Sequence, residues 1–200
     1  LGELSLTELI IESGIHDVIA RKLNARGKLT RNAIAEGIIN NVRKTIIRHQ
    51  LTDPRFYAQM SRLLDDLIQR SRADAAAYEA FLRHAEALVR RLAAGQAEGE
   101  VPPELHGNRA ATVIFQNLEQ ILAGGSGAGT TAGELKGDYG GERLRLALAI
   151  DRVMREQAPA GWKGDQAREA QVLNGLFPLM GRDRAATQAL FDLVKNMPGY

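Results

Sequence analysis

Ile34-Ala35-Glu36-Gly37-Ile38-Ile39-Asn40-Asn41-Val42-Arg43-Lys44-Thr45-Ile46-Ile47 opens a stretch of sequence that ends at Leu92 and sets the architecture of the chain. Ile34, Ile38, Val42 and Ile46 recur every four residues, which is one side of a helix. Thr30 stands where it can cap that helix, and Asn40-Asn41 sits in its middle, where Asn is a poor helix former. The chain then turns at Asp53-Pro54, a natural N-cap followed by Pro at the first helical position. From Pro54 no Gly or Pro appears until Gly95, and an apolar seam runs through Met60, Leu63/Leu64 and Leu67 to Tyr78, Phe81, Ala85, Leu88 and Leu92 in steps of three and four. Ser71 and Asp74 occupy seam positions, and the middle from Arg70 to Ala77 is polar and Ala-rich. This pattern predicts one very long helix, about 54–94, reaching roughly 55–60 Å at 1.5 Å per residue, a rod with an apolar patch at each end.

Outward from this stretch the punctuation is also helical. Ser5-x-x-Glu8 is a capping box for a short helix that Gly14 ends, and a second short helix runs from about His16 to Ala25 with Gly27 as its stop. After the connection at 95–107, which holds Pro102-Pro103, Asn108 can cap a helix to about Leu122. The run 124–141 holds eight of the 20 glycines and reads as a loop, mobile in part. Three helices follow, about 142–157, 165–180 and 183–197, separated at Pro159, Gly161 and Gly181. The expectation is an all-α fold, an irregular bundle of about seven helices around the long one, with no significant sheet. We read 1–200 as a single helical domain: short helices in 1–30, helix-turn-long helix in 31–94, connection in 95–107, helix in 108–123, Gly-rich loop in 124–141 and three closing helices in 142–200.

Composition narrows the function classes. The chain has 200 residues, 44% hydrophobic and 25% charged, which is ordinary for a globular protein. Its formal net charge is +2, without the dense basic stripe of a nucleic-acid binder; Arg90-Arg91 and Arg143/Arg145 are the best local clusters. Cys is absent, so there is no disulfide and no thiolate metal site; a reducing, cytoplasmic setting is the expectation. No apolar run approaches the roughly 18 residues that span a bilayer. The start, Leu1-Gly2-Glu3-Leu4, has neither an initiator Met nor the features of a signal peptide, and reads as the beginning of a fragment of a longer chain or as residual tag sequence.

Several chemical patterns come close and fail. Gly124-Gly125-Ser126-Gly127-Ala128-Gly129-Thr130-Thr131 has the glycine spacing of a P-loop, but Thr130 replaces the Lys that neutralises the phosphates, and a helix rather than a strand precedes it. Glu134-Leu135-Lys136 has the spacing of a metal-dependent nuclease pair, without the adjacent strand positions and further acid that would hold an ion. His16, His49, His84 and His106 are tens of residues apart, with no metal-ligand spacing. No nucleophile, base and oxyanion donors converge. The expectation is a chain that is not itself an enzyme, with no catalytic, cofactor-binding or metal residue. Trp162, the sole Trp, precedes a helix start in Gly161-Trp162-Lys163-Gly164-Asp165; it reads either as a plug that staples a loop to the core or as an interface anchor.

The run Asn40-Asn41-Val42-Arg43, followed by Asp53-Pro54-x-Phe56-Tyr57-x-x-Met60-Ser61-x-Leu63-Leu64, resembles the C-terminal helical region of the restriction (R, motor and nuclease) subunit of type I restriction–modification enzymes. Tyr78-x-x-Phe81-Leu82, Asn108-Arg109-Ala110 with Phe115-x-Asn117-Leu118, Asp151, Trp162-Lys163-Gly164, Phe191-Asp192-Leu193-Val194-Lys195 and Tyr200 continue the likeness in order over residues 5–200. Lys163 stands where the family usually has Arg, Asp165 where it tends to have Asn, and 124–141 has no counterpart. The resemblance implies a parent with a nuclease domain and two helicase-like ATPase domains, working with methyltransferase and specificity subunits and using ATP, Mg²⁺ and S-adenosylmethionine to translocate and cut foreign DNA. This chain would be the C-terminal assembly domain, holding none of those cofactors and meeting the methyltransferase and specificity subunits, the helicase-like domains of its own parent, and DNA only weakly or within the complex; no membrane is implied. The candidate interface or network residues are Asn40, Asn41, Arg43, Trp162 and Lys163. The amides of a mid-helix Asn pair need partners, either within this domain or across an interface.

Overall fold

The computed structural model describes residues 5–23, 29–71, 77–95, 101–124 and 141–200. Among these residues helix is the regular secondary structure and no strand occurs, so the fold is all-α. Contacts divide the chain into two compact units, Leu1–Gln50 with Phe56–Ala97 and Leu51–Arg55 with Glu98–Tyr200. Where the sequence reads as one helical domain, the structure has two bodies, each built on its own apolar core.

In the first unit α1 (Leu6–Ser13) starts with the expected capping box: Ser5 Oγ accepts the Glu8 N–H, and the Glu8 carboxylate accepts the Ser5 N–H at 2.6 Å. Gly14, at φ 83°, ends it in a conformation open to glycine and strained for other residues. A single turn, α2 (Ile15–Val18), continues as a π-turn over Ile19–Leu23; the expected stop at Gly27 lies outside the described residues. α3 (Arg31–His49) begins with Thr30 Oγ1 accepting the Ala33 N–H at 3.2 Å. Its stripe Ile34, Ile38, Val42 and Ile46 is buried, as the four-residue recurrence requires.

The single helix expected over about 54–94 is corrected. The described chain forms α4 (Pro54–Ser71) and α5 (Tyr78–Ala94), and Leu63, Leu67 and Arg70 line the same groove as Arg91, Leu88 and His84. In one straight helix Leu63 and Arg91 would stand about 42 Å apart. The two helices therefore run side by side and antiparallel. The physical reason is burial. A rod would leave two apolar seams in water, whereas folding back brings Met60, Leu64 and Leu67 into one core with Phe81, Ala85 and Leu88. Each of the Met, Leu and Phe side chains contributes about 1.5–3 kcal/mol when fully buried. The polar seam positions Ser71 and Asp74 are where the sequence stops rewarding a straight helix; residues 72–76 lie outside the described set.

The second unit has α6 (Arg109–Ala123), α7 (Gly141–Gln157), α8 (Gln166–Leu176) and α9 (Arg184–Asn196), preceded by a 3₁₀ turn at Pro103–Leu105. α6 packs against α7 and α9, and α8 packs against the same two, which closes a ring of four helices. Ile114, Leu118, Ile150, Leu176, Leu190 and Val194 are fully enclosed by it. The cap read from sequence at Asn108 is present, its Oδ1 accepting the Ala111 N–H; in addition Asp165 Oδ1 accepts the N–H groups of Ala167 and Arg168, and Asp183 Oδ1 that of Ala186. α8 ends at Leu176, short of the expected Met180, and Gly181 and Arg182 turn the chain at φ 63° and 60°. The glycine-rich segment 125–140, with the near-P-loop and Glu134-Leu135-Lys136, lies outside the described residues.

Candidate functional site

The structure separates the three candidates on α3. Asn41 faces α1. Thr7 Oγ1 donates to Asn41 Oδ1 at 2.8 Å, and Thr45 Oγ1 donates to the Asn41 backbone carbonyl at 3.0 Å. This is a staple between α1 and α3 inside the first unit, so that amide is used internally. Asn40 and Arg43 are exposed on the opposite side of the helix, with no hydrogen bond or ion pair to either side chain among the described residues. Thr7→Val is expected to cost about 1–2 kcal/mol by leaving Asn41 Oδ1 short of a donor, while Asn40→Ala should stay within about 0.5 kcal/mol. Urea unfolding of both variants tests the division; equal losses would sink it.

Trp162 is likewise inward, while Lys163 is exposed and reaches back to the end of α9. Trp162 is only 4% exposed, and its ring lies 5.7 Å from that of Phe191 at 60°. Lys163 Nζ donates to the Met197 carbonyl at 2.6 Å, where α9 ends, and stands 5.6 Å from the Trp162 ring centroid. A cation on the last carbonyls of a helix opposes its dipole. Burial lowers the Lys163 pKa from its ordinary value.

Two polar knots in the second unit were not legible as such in the sequence. Asp151, 6% exposed, receives hydrogen bonds from three directions: the Tyr200 hydroxyl, Asn108 Nδ2 at 2.8 Å, and Arg155 Nε at 3.0 Å. Burial alone would raise its pKa, but the hydrogen bonds from Tyr200, Asn108 and Arg155 outweigh it and hold the carboxyl below the ordinary Asp value. Burial, then the hydrogen bond to Asp151, pushes the Tyr200 hydroxyl far up. Asn108 thus caps α6 with its oxygen and holds Asp151 with its nitrogen.

The second knot ties Leu51–Arg55 to α6. Gln116 Nε2 and Asn117 Nδ2 donate to the two Asp53 carboxylate oxygens at 3.1 and 2.8 Å, and Asn117 Oδ1 accepts the Arg55 N–H at 3.0 Å. Arg55 Nη1 reaches the Gln116 carbonyl and Glu119. Glu119 also meets Arg143, whose guanidinium lies 4.0 Å over the Phe115 ring and whose pKa is lowered by burial. Asp53 read from sequence as a helix N-cap; its side chain turns out to anchor two amides 63 and 64 residues away.

The concave features are modest. The groove between α4 and α5 has a volume of about 220 Å³ with Leu63, Leu67 and Leu88 on its floor. A second, of about 310 Å³, lies beside α6 and α9 and includes the exposed Leu51. Among the described residues no group of three His, Asp or Glu side chains converges as a metal site, and no helix is long and apolar enough to cross a membrane. Compared with models of known protein families, with curated proteins and with solved structures, the chain matches none. Within each unit these contacts tie helices to one another and leave other helix faces, such as that of Asn40 and Arg43, exposed.

Proposed function

We propose that this chain is a non-catalytic assembly domain from the C-terminal part of a type I restriction enzyme R subunit, and that it docks the ATP-dependent DNA translocase and nuclease onto the methyltransferase–specificity core. The observation that carries the reading is what the family-like residues do where the chain is described. Asn41 staples two helices, Asn108 and Asp151 knot three segments, Trp162 plugs a core and Lys163 closes a helix end. These residues make rigid joints and leave helix faces, such as that of Asn40 and Arg43, turned outward. A docking part needs rigidity and outward faces, since a preorganised surface loses little entropy on binding. In this reading ATP, Mg²⁺ and S-adenosylmethionine serve the parent complex elsewhere, and the helicase-like domains of the same parent flank this one.

The test is capture of the chain on the immobilised methyltransferase–specificity complex without DNA, at low and moderate salt. The expected result is retention at both. A second reading, contact with the DNA backbone during translocation, is favoured by the acid-free run Asn40–Gln50, which holds Arg43, Lys44 and Arg48. It predicts no capture without DNA and duplex binding that falls steeply with salt.

A further inference from the structure

From Asn40 onward the outer face of α3 carries charge of one sign only. Ile34, Ile38, Val42 and Ile46 point into the core, and at 100° per residue the opposite side carries Asn40, Arg43, Lys44, Ile47 and Arg48, all exposed. Ile47 is 59% exposed, with Arg43 and Lys44 one turn before it and Arg48 beside it. Among the described residues none of the three cations has an ion pair or hydrogen bond. Elsewhere in the same unit Arg21 pairs with Asp17 and Arg90 with Glu86, and the exposed Arg62, Arg70 and Arg83 each have a carboxylate four residues away in sequence, at Asp66 and Glu79. The helix dipole accounts for a cation in the last turn, such as Arg48, but its effect fades within that turn and does not reach Arg43 or Lys44. From Asn40 to Gln50 no carboxylate appears.

We propose that this face is the ridge by which the chain docks, and that its partner is a protein surface with an apolar socket for Ile47 rimmed by Asp or Glu side chains facing Arg43, Lys44 and Arg48. The inference rests on the docking reading above and names the surface and the chemistry of its partner. An exposed aliphatic side chain gains only where an apolar surface removes it from water, which a phosphate backbone does not offer. The three cations span about 7.5 Å of helix axis, too little to follow a run of phosphates but matched to a few carboxylates around one socket. Arg43 and Arg48 can each bind a carboxylate through two nitrogens. A lone exposed Ile is common on protein surfaces; one set among unpaired cations, opposite a buried stripe, is the arrangement of an apolar anchor with a charged rim.

The experiment uses the 200-residue chain, with the methyltransferase–specificity complex as the immobilised probe. Three proteins are compared: the wild type, Ile47→Ser, and the double variant Lys44→Glu with Arg48→Glu. All three positions are exposed, so far-UV circular dichroism and melting curves should be unchanged. The expected result is binding about 10-fold weaker for Ile47→Ser and at least about 30-fold weaker for the double variant, mainly through faster dissociation for the former and slower association for the latter. Wild-type capture with both variants bound as tightly as the wild type overturns the ridge and leaves the docking reading standing. No capture of the wild type overturns the docking reading and the ridge with it. If instead a 30-base-pair duplex is bound by the wild type and by Ile47→Ser but not by the double variant, and the immobilised complex is bound equally by all three, the face belongs to nucleic acid and the proposal fails.

Discussion

Trp162→Ala is expected to destabilise the second unit by about 3–5 kcal/mol, the usual loss when a large buried aromatic is truncated and its site cannot collapse. The ring is 4% exposed, packs against Phe191 and belongs to the core formed by α6, α7, α8 and α9. The measurement is urea unfolding followed by far-UV circular dichroism, since the substitution removes the sole Trp. In the wild type, that Trp makes fluorescence a reporter of the second unit alone, while dichroism reports helix in both units. Fluorescence and dichroism curves that part company would show the two units unfolding separately. Trp162→Phe, which keeps a ring against Phe191, should lose less than half as much as the Ala variant. If Trp162→Ala leaves the melt unchanged and abolishes capture instead, Trp162 is an interface anchor and the burial argument fails.

Asp151→Ala should cost about 3 kcal/mol at neutral pH, because it strips a buried carboxylate from Tyr200, Asn108 and Arg155 at once. The effect carries a pH signature. The native pKa of Asp151 lies below its ordinary value, so the folded state prefers the charged form. That contribution is complete above the unfolded value near 3.9 and is lost as pH falls through the lower native value. The gap in stability between wild type and Asp151→Ala should therefore be constant from about pH 5 to 8 and narrow at lower pH, as read by chemical unfolding at each pH. A gap that widens on acidification would mean the carboxyl is held protonated, against the hydrogen-bond pattern. Tyr200→Phe should lose part of the same energy, and its effect should nearly vanish in the Asp151→Ala background.

The features the sequence displayed correctly are local ones. Ser5 with Glu8, Thr30 with Ala33 and Asn108 with Ala111 are contacts over three residues, and a cap needs nothing from the rest of the chain. The stripe Ile34, Ile38, Val42 and Ile46 is legible because a helix's own period decides which side is buried. The candidate residues divide along the same line. Asn41 was visible as an amide needing a partner, but its partner Thr7 is 34 residues away. Asp53 and Asn117, 64 apart, and Asp151 and Tyr200, 49 apart, carry no mark of their pairing in the sequence. Trp162 could be plug or anchor until the ring of four helices closed over it.

Helix content, helix starts and the buried side of each helix were thus determined by the sequence by itself, because hydrogen bonds within one turn and a 3.6-residue period act on neighbours. The tertiary structure alone decided that the seam from Met60 to Leu92 belongs to two antiparallel helices, that the chain makes two cores, that Asn40 and Arg43 face outward while Asn41 and Trp162 face in, and that the exposed Lys163 bonds back to the Met197 carbonyl. A periodic seam is equally satisfied by a partner helix from anywhere in the chain. Which helix covers it depends on the apolar area removed from water by the whole assembly of segments, and no stretch of residues carries that quantity alone.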